Sequence, residues 1–269
     1  MKLNEIVSTL SSFGVDNCNE EALLIIEHSE KISRAKIMAD PQKSYTSPTI
    51  LEILEKRREH IPLQHILGKW EFMGREFFVS PECLIPRPDT EILVEKAMSL
   101  AKPGDKVIDL CTGSGCIGIS IASYVKDIDL TLLDISSGAL DMARKNAAHN
   151  GIHARFILGD IRKDIPKEKF DIITANPPYI PSSDIGNLSP EVKREPVLAL
   201  DGGDDGLDFV RCLLSDGISY LNEGGKMLIE FGYDQEKEIR LIAGALENIS
   251  SYEILYDYGG NPRVLVIYK

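Results

Sequence analysis

From Lys106 onward the sequence alternates between two hydrophobic periods, and that alternation limits the fold more than any other feature of the chain. The short apolar runs VIDLC (107–111), LTLLDI (130–135), ARFILGD (154–160), FDIITAN (170–176) and KMLIEFG (226–232) read as strands buried on both faces. Between and after them, IGISIASY (117–124), GALDMARKNAAH (138–149) and stretches near 206–221 and 235–247 repeat at helical spacing. Strand and helix in turn imply a doubly wound α/β fold, a mostly parallel sheet with helices on both faces. The last two strands, YEILYDY and RVLVIYK, bring the sheet to seven and are separated only by Gly259-Gly260-Asn261-Pro262. So short a link cannot carry a parallel crossover, so this pair forms an antiparallel hairpin.

The first sixty residues read differently. Leu3, Ile6, Val7 and Leu10, then Ala22, Leu23, Ile25 and Ile26, then Ile50, Leu51, Ile53 and Leu54 after Ser47-Pro48, recur at helical spacing and predict a small bundle. KWEFMGREFFV (69–79) has aromatic halves around Met73-Gly74 and predicts a β-hairpin. Ile85-Pro86-Arg87-Pro88-Asp89-Thr90-Glu91 stops a strand and starts a helix, with Asp89 or Thr90 placed to cap it. The expected organisation is a helical bundle over 1–65, a hairpin linker over 66–85 and the α/β domain over 86–269.

Charge separates the same regions. The net charge is −12, while residues 1–70 carry ten acidic and nine basic side chains and are nearly neutral. An acidic α/β region argues against a broad grip on nucleic acid, which needs clustered Lys and Arg. The sequence has no apolar run of membrane-spanning length and no signal-peptide pattern at its start. Five scattered cysteines without a C-x-x-C give neither a disulfide framework nor a metal site, and a reducing cytoplasm is the expected compartment.

Asp109-Leu110-Cys111-Thr112-Gly113-Ser114-Gly115 lies where the first strand of the α/β region meets its first helix, at the edge where such sheets bind ligands. Glycines 113 and 115 let the backbone approach a ligand, and the helix start offers free N–H groups to a carboxylate or phosphate. With Gly118 they spell G-x-G-x-x-G, which also fits a nicotinamide-binding protein. Asp134, at the end of the next strand, can accept both hydroxyls of a ribose, and Asp160 with Ile161 can meet an adenine amino group and ring. These residues point to a nucleoside without choosing which one.

Asn176-Pro177-Pro178-Tyr179 chooses. Two prolines hold the Asn176 side chain and the Pro177 carbonyl in fixed directions at the same sheet edge, giving two hydrogen-bond acceptors. Such a pair suits an –NH2 group, whose lone pair is then free to point at the methyl of a sulfonium, with Tyr179 to stack on the planar group. A nicotinamide enzyme has no use for it.

The loop with Asp134 resembles the class I methyltransferases, and the NPPY tetrad resembles those that methylate exocyclic amines of bases or the amide of glutamine. PLQHILGKWEFMGREFFVSPECLIPRPDTE (62–91), DLCTGSGCIGIS (109–120), ANPPYIP (175–181), PEVKREPVLAL (190–200) and DYGGNPRV (257–264) are similar to the HemK/PrmC family of peptide chain release factor N5-glutamine methyltransferases, along essentially the whole chain. Cys111 departs from the first glycine common in such loops, which bears on the backbone angle there.

The resemblance implies methyl transfer from S-adenosyl-L-methionine to the glutamine of the Gly-Gly-Gln loop of class 1 release factors, leaving S-adenosyl-L-homocysteine. It also implies cofactor contacts from Cys111, Thr112, Gly113, Ser114, Gly115, Asp134, Ile161 and Asn176, beside the Asp160 contact expected from its strand-end position, and glutamine contacts from residues 176–179, with Asn176, Pro177 and Tyr179 central to catalysis. The helical bundle would hold the release factor, with no direct nucleic-acid binding and no membrane partner. In-line attack of the amide nitrogen on the methyl needs positioning and polarisation but no general base, and none of the five histidines sits in a motif. The competing readings are an RNA or DNA amino-methyltransferase, a nicotinamide oxidoreductase and a binding module that has lost chemistry. Residues 177–206 read as a binding loop or lid, with the acidic, Gly-rich stretch 201–206 solvated.

Overall fold

The computed structural model describes residues 1–269, which divide into two compact units. The first unit holds Met1–Gly68 together with Ser189–Arg194. Helices α1 (Leu3–Ser12), α2 (Cys18–Glu30), α3 (Arg34–Ala39), α4 (Pro48–Arg58) and α5 (Leu63–Leu67) enclose a core of Ile6, Leu10, Ala22, Ile25, Ile26, Ile37, Tyr45, Ile50, Ile53 and Leu54. Pro48 opens α4 at a position where the missing N–H costs nothing. Leu51 is 62% exposed, so the apolar stripe of α4 is narrower than its sequence implies.

Arg57 is buried in that unit. Its guanidinium donates to both oxygens of Glu21 at 2.8 and 3.0 Å, to the Ile61 carbonyl at 2.7 Å and to Glu191 at 2.6 Å. A buried charge persists only when its donors are matched in this way. Glu191 belongs to the segment expected to be an internal loop of the α/β domain, so the boundary read from the sequence is corrected here. The buried arginine of α4 is met by an acid of the same unit that lies 134 residues further along the chain.

The second unit comprises Lys69–Leu188 and Glu195–Lys269. It begins with an antiparallel hairpin, β1 (Lys69–Phe72) and β2 (Arg75–Phe78), turned at Met73 and Gly74, both with positive φ. The hairpin is no linker: Phe72 and Phe77 are buried in the unit's core. Asn146 holds it there, accepting from the Phe78 N–H at 2.7 Å and donating to the Phe78 carbonyl at 2.9 Å.

The sheet contains β3 (Lys106–Leu110), β4 (Asp129–Asp134), β5 (Ala154–Leu158), β6 (Phe170–Ala175), β7 (Leu221–Glu230), β8 (Ser251–Tyr256) and β9 (Pro262–Tyr268). Their order is β5-β4-β3-β6-β7-β9-β8, with the first five parallel and β9 antiparallel to both its neighbours. Alternate strand residues serve opposite faces. Ile108, Leu110, Ile173, Met227 and Ile229 pack with Val210, Leu213 and Leu214 of α9 (Asp208–Ser215) and with Ile239 of α10 (Glu236–Gly244). Val107, Leu132, Ile172, Leu228 and Val266 pack with α6 (Glu91–Leu100), α7 (Cys116–Tyr124) and α8 (Ser137–His149). This is the doubly wound architecture expected from the alternation. The helix expected over 206–221 is α9 followed by a 3-10 turn, Gly217–Tyr220. No helix of the chain is long and apolar enough to cross a membrane.

Strand order reverses at β3, whose neighbours are β4 and β6. Loops leaving β3 and β6 at their carboxyl ends therefore diverge and open a crevice. The glycine loop follows β3 and the NPPY tetrad follows β6.

Candidate active site

A cavity open to solvent lies at that crevice. Its wall includes Cys111 to Ser114, Asp134, Asp160, Ile161, Asn176 and Pro178, so most of the expected cofactor residues come together. Gly115 stands outside the wall at the helix start. With φ +81°, an added Cβ would meet Ile119 at 2.6 Å and Ala143 at 3.2 Å, so only glycine allows α7 to begin here. Gly118 serves packing, since a Cβ there would lie 2.6 Å from Leu132 of β4 and 3.1 Å from Asp109. The third glycine of G-x-G-x-x-G is thus accounted for by close helix–sheet approach and selects no ligand.

Cys111 has φ +55°, the left-handed conformation that a glycine would adopt without strain. Gly113 and Gly115 also have positive φ, and the loop N–H groups of Thr112, Gly113 and Gly115 donate to the Leu133 carbonyl, Asp134 and the Thr112 carbonyl, so the loop is held by the protein itself. A non-glycine residue in this region costs about 1–2 kcal/mol. Cys111→Gly relieves that strain but adds freedom to the unfolded chain, about 0.5–1 kcal/mol. It is expected to leave stability within about 1 kcal/mol of wild type by urea denaturation, whereas the β-branched Cys111→Val loses at least that much.

Two carboxylates secure the loop. Asp109, fully buried under it, accepts from the hydroxyls of Thr112 at 2.5 Å and Thr174 at 2.7 Å and from the Gly118 N–H at 3.3 Å. Burial pushes its carboxyl up to about 6 against the pull of those donors. Asp134 accepts from the Gly113 N–H at 2.8 Å and the Ser136 N–H at 2.9 Å, and Ser136 in turn caps α8 by accepting from the Ala139 N–H at 3.2 Å. A carboxylate has about four acceptor positions. Asp134 therefore retains capacity for a ribose on the cavity side. The wall fits a nucleoside, with acceptor capacity at Asp134 and apolar surface at Ile161.

Asp160 also lines the cavity, but its carboxylate is taken by Arg162, with Nη2–Oδ2 at 2.7 Å and Nε at 2.9 and 3.1 Å from its two oxygens. That pairing holds its carboxyl below the usual range. An adenine amino group would have to share this acceptor.

Asn176 Nδ2 donates to the Thr90 hydroxyl oxygen at 3.3 Å. Thr90, expected as a helix cap, makes no capping bond and faces the site instead. Pro178 lines the cavity, whereas Pro177 and Tyr179 do not. The Tyr179 hydroxyl lies 3.4 Å from Glu230 and its carbonyl accepts from Gln235 Nε2 at 2.9 Å, so as placed it joins the protein's own polar cluster. The stretch expected to be solvated packs against the tetrad: a Cβ at Gly202 would lie 2.7 Å from Tyr179 Cα, and one at Gly206 would lie 2.2 Å from the Tyr179 carbonyl oxygen. Glycine is needed there so that one backbone can lie on another.

Several residues in and behind the wall were not singled out in the sequence. Glu195, buried behind it, accepts from the Ile85 N–H at 2.9 Å and from Arg87, and so braces the IPRPDTE segment. Pro196, Leu198 and Ala199 line another part, and Leu198 is 54% exposed.

Comparison with known proteins agrees with this geometry. Residues 2–68 match the family described as PrmC N-terminal domain, and residues 88–188 match the Methyltransferase small domain. A protein of Moorella thermoacetica named release factor glutamine methyltransferase is 35% identical over 274 aligned positions, spanning 99% of this chain and 97% of the relative. One of the same name from Clostridium acetobutylicum is 41% identical over 224 positions, 80% of this chain and 78% of the relative. The chain belongs to the release factor glutamine methyltransferase family. A solved methyltransferase from Pyrococcus furiosus shares the fold, with a TM-score of 0.56 at 21% identity over 74% of this chain and 90% of that one. The 16S rRNA N2 G1207 methyltransferase of T. thermophilus, in complex with AdoMet and guanosine, does so with a TM-score of 0.55 at 17% identity, over 75% and 49%. Membership in a methyltransferase family sets aside the nicotinamide reading of the glycine loop.

Proposed function

We propose that this chain transfers the methyl group of S-adenosyl-L-methionine to the side-chain amide nitrogen of the glutamine in the Gly-Gly-Gln loop of class 1 release factors. The observation that carries the proposal is the juxtaposition, in one cavity, of the Asp134-secured glycine loop with Asn176 of an Asn-Pro-Pro-Tyr tetrad. When bound, the sulfonium supplies an electrophilic methyl. Asp134 takes the ribose, the loop 111–115 receives the anionic tail, and Ile161 with Asp160 meets the adenine. Asn176 Oδ1 and the Pro177 carbonyl accept the two amide hydrogens, which aligns the nitrogen and raises its electron density as the bond to carbon forms. Asp109 and Glu230 are not part of the cavity wall, and the in-line displacement does not require them as bases.

The acidic charge of the chain favours a protein acceptor over RNA. Incubation with labelled S-adenosylmethionine and either release factor or RNA tests the choice: label is expected on the glutamine of the release factor, and label on RNA alone would overturn the reading. The helical unit is assigned to recognising the body of the release factor. Since binding energy from remote contacts assists the reacting centre, a short Gly-Gly-Gln peptide is expected to be methylated with kcat/KM lower by roughly tenfold or more than the intact factor. Equal kcat/KM would remove that role.

A further inference from the structure

The segment DYGGNPRV (257–264) contributes nothing to the cavity wall, yet it carries a buried arginine. Asp257 closes its turn by accepting from the N–H groups of Gly259 and Asn261, both at 2.9 Å, from Asn261 Nδ2 at 3.2 Å and from Arg263 Nη2 at 3.1 Å. The same Arg263 nitrogen lies 3.2 Å from the carboxylate of Asp89, while Arg263 Nε makes no hydrogen bond. An enclosed guanidinium is costly unless its charge is matched. Asp257 already matches it within the turn, so the second acid, which comes from the IPRPDTE segment, needs a reason of its own.

That segment is held at alternate residues. The Ile85 N–H and the Arg87 side chain both donate to Glu195, Asp89 pairs with Arg263, and Glu91 accepts from the Met73 N–H at 2.8 Å. Between these anchors, Pro86 and Thr90 line the cavity. Pro88–Thr90 forms a single 3-10 turn, closed by the Thr90 N–H on the Arg87 carbonyl at 3.1 Å. So short a turn has little stiffness of its own, and its setting depends on what its side chains hold. Asp89 stands at its centre, and Thr90, at its end, is buried with its hydroxyl oxygen 3.3 Å from Asn176 Nδ2.

We propose that the Asp89–Arg263 pair positions the methyl-acceptor subsite: by anchoring this turn to the C-terminal hairpin it keeps the Thr90 oxygen at Asn176 Nδ2, with Asn176 Oδ1 left for the acceptor amide. The inference rests on the reading that Asn176 receives that amide, and it adds two residues that lie outside the reaction itself. An asparagine side chain in an open cavity has several rotamers and two faces to its amide, and a hydrogen bond from Nδ2 removes most of that freedom. A fixed acceptor is what alignment of the attacking nitrogen requires. The pair can also be broken safely from one side. The Asp89 side chain is 51% exposed, against 10% for Arg263 and 4% for Asp257, so loss of Asp89 leaves the buried arginine still matched. A half-exposed ion pair contributes little to stability, so its loss should show in rate and not in folding.

The test is steady-state methylation of intact release factor by Asp89 and Thr90 variants, with cofactor affinity measured by calorimetry. Asp89→Ala should lower kcat by about 5- to 20-fold, less than the roughly 10²-fold that a displacement of about 1 Å in a catalytic arrangement can cost. It should leave KM for the release factor and the cofactor affinity unchanged. Asp89→Glu, which keeps the charge, should recover most of the loss, and Asp89→Lys, which sets two cations together, should be slower than Asp89→Ala. Thr90→Val removes the oxygen that Asn176 uses and should be at least as slow as Asp89→Ala. Adding Asp89→Ala to it should cost nothing further, because the turn then has no group to present. A staple with a purely structural role gives a different pattern. Unchanged kcat in Asp89→Ala, a loss confined to KM or to cofactor affinity, or additive losses in the double variant would overturn the proposal. Retained cofactor binding shows that each variant is folded. Where Thr90→Val does not fold, the Asp89 series decides alone, and an Asp89→Glu as slow as Asp89→Ala would overturn the proposal. Failure of the wild type to methylate release factor would instead strike the underlying reading, in an arm of its own.

Discussion

Asn176→Ala is expected to slow methyl transfer by roughly 10²–10³, the loss typical when one preorganised polar group aimed at the reacting centre is removed. The substitution deletes the side-chain acceptor while leaving Asp134, Asp109 and the glycine loop in place, since none of their hydrogen bonds runs through Asn176. Cofactor affinity should therefore change only modestly. Asn176→Asp is the informative companion. It retains an acceptor but places a negative charge beside a sulfonium whose charge vanishes in the transition state, which favours the ground state over the barrier. Single-turnover rates at saturating cofactor and release factor are the measurement. Wild-type rates in both variants would reduce the tetrad to a rigid turn.

The parts of this site that a sequence reveals are those in which local spacing and function coincide. Gly113, Asp134 and Asn176 each sit at the end of a strand or in the turn beyond it, and parallel strands bring their carboxyl ends to one edge. Glu230 also ends a strand, yet an acid at a strand end reads the same whether it faces solvent or an arginine on β9. Its surroundings are set by Tyr179, whose hydroxyl lies 3.4 Å from it and which stands 51 residues away in sequence. Asp109 is similar: its partners Thr112, Gly118 and Thr174 come from a loop, a helix and a strand, and no local pattern links them. Asn146 looks like one more polar residue on a helix until the hairpin's Phe78 and the loop's Ser114 converge on it. The division at 189–194 was hidden for the same reason, because the need that Arg57 creates is met by a glutamate 134 residues later.

Asp134→Ala is expected to weaken S-adenosylmethionine binding more than any other single change in the site. Two hydrogen bonds from ribose hydroxyls to a carboxylate are worth about 1.5–3 kcal/mol each, so their joint loss raises Kd by roughly 10²–10⁴. The structure adds a second cost, because the same carboxylate holds the Gly113 and Ser136 N–H groups, and alanine frees both the loop and the start of α8. Asp134→Asn separates the contributions. It keeps one acceptor oxygen but turns an –NH2 toward a backbone donor or a ribose hydroxyl, so it should bind with intermediate affinity. Burial raises the Asp134 carboxyl above its ordinary range while those N–H groups oppose the shift. The binding form is the charged one, so wild-type affinity should decline on acidification at a pH above that expected for a solvent-exposed aspartate, a dependence absent from Asp134→Asn. Calorimetry across pH gives all three curves, and an Asp134→Ala affinity equal to wild type would place the ribose elsewhere.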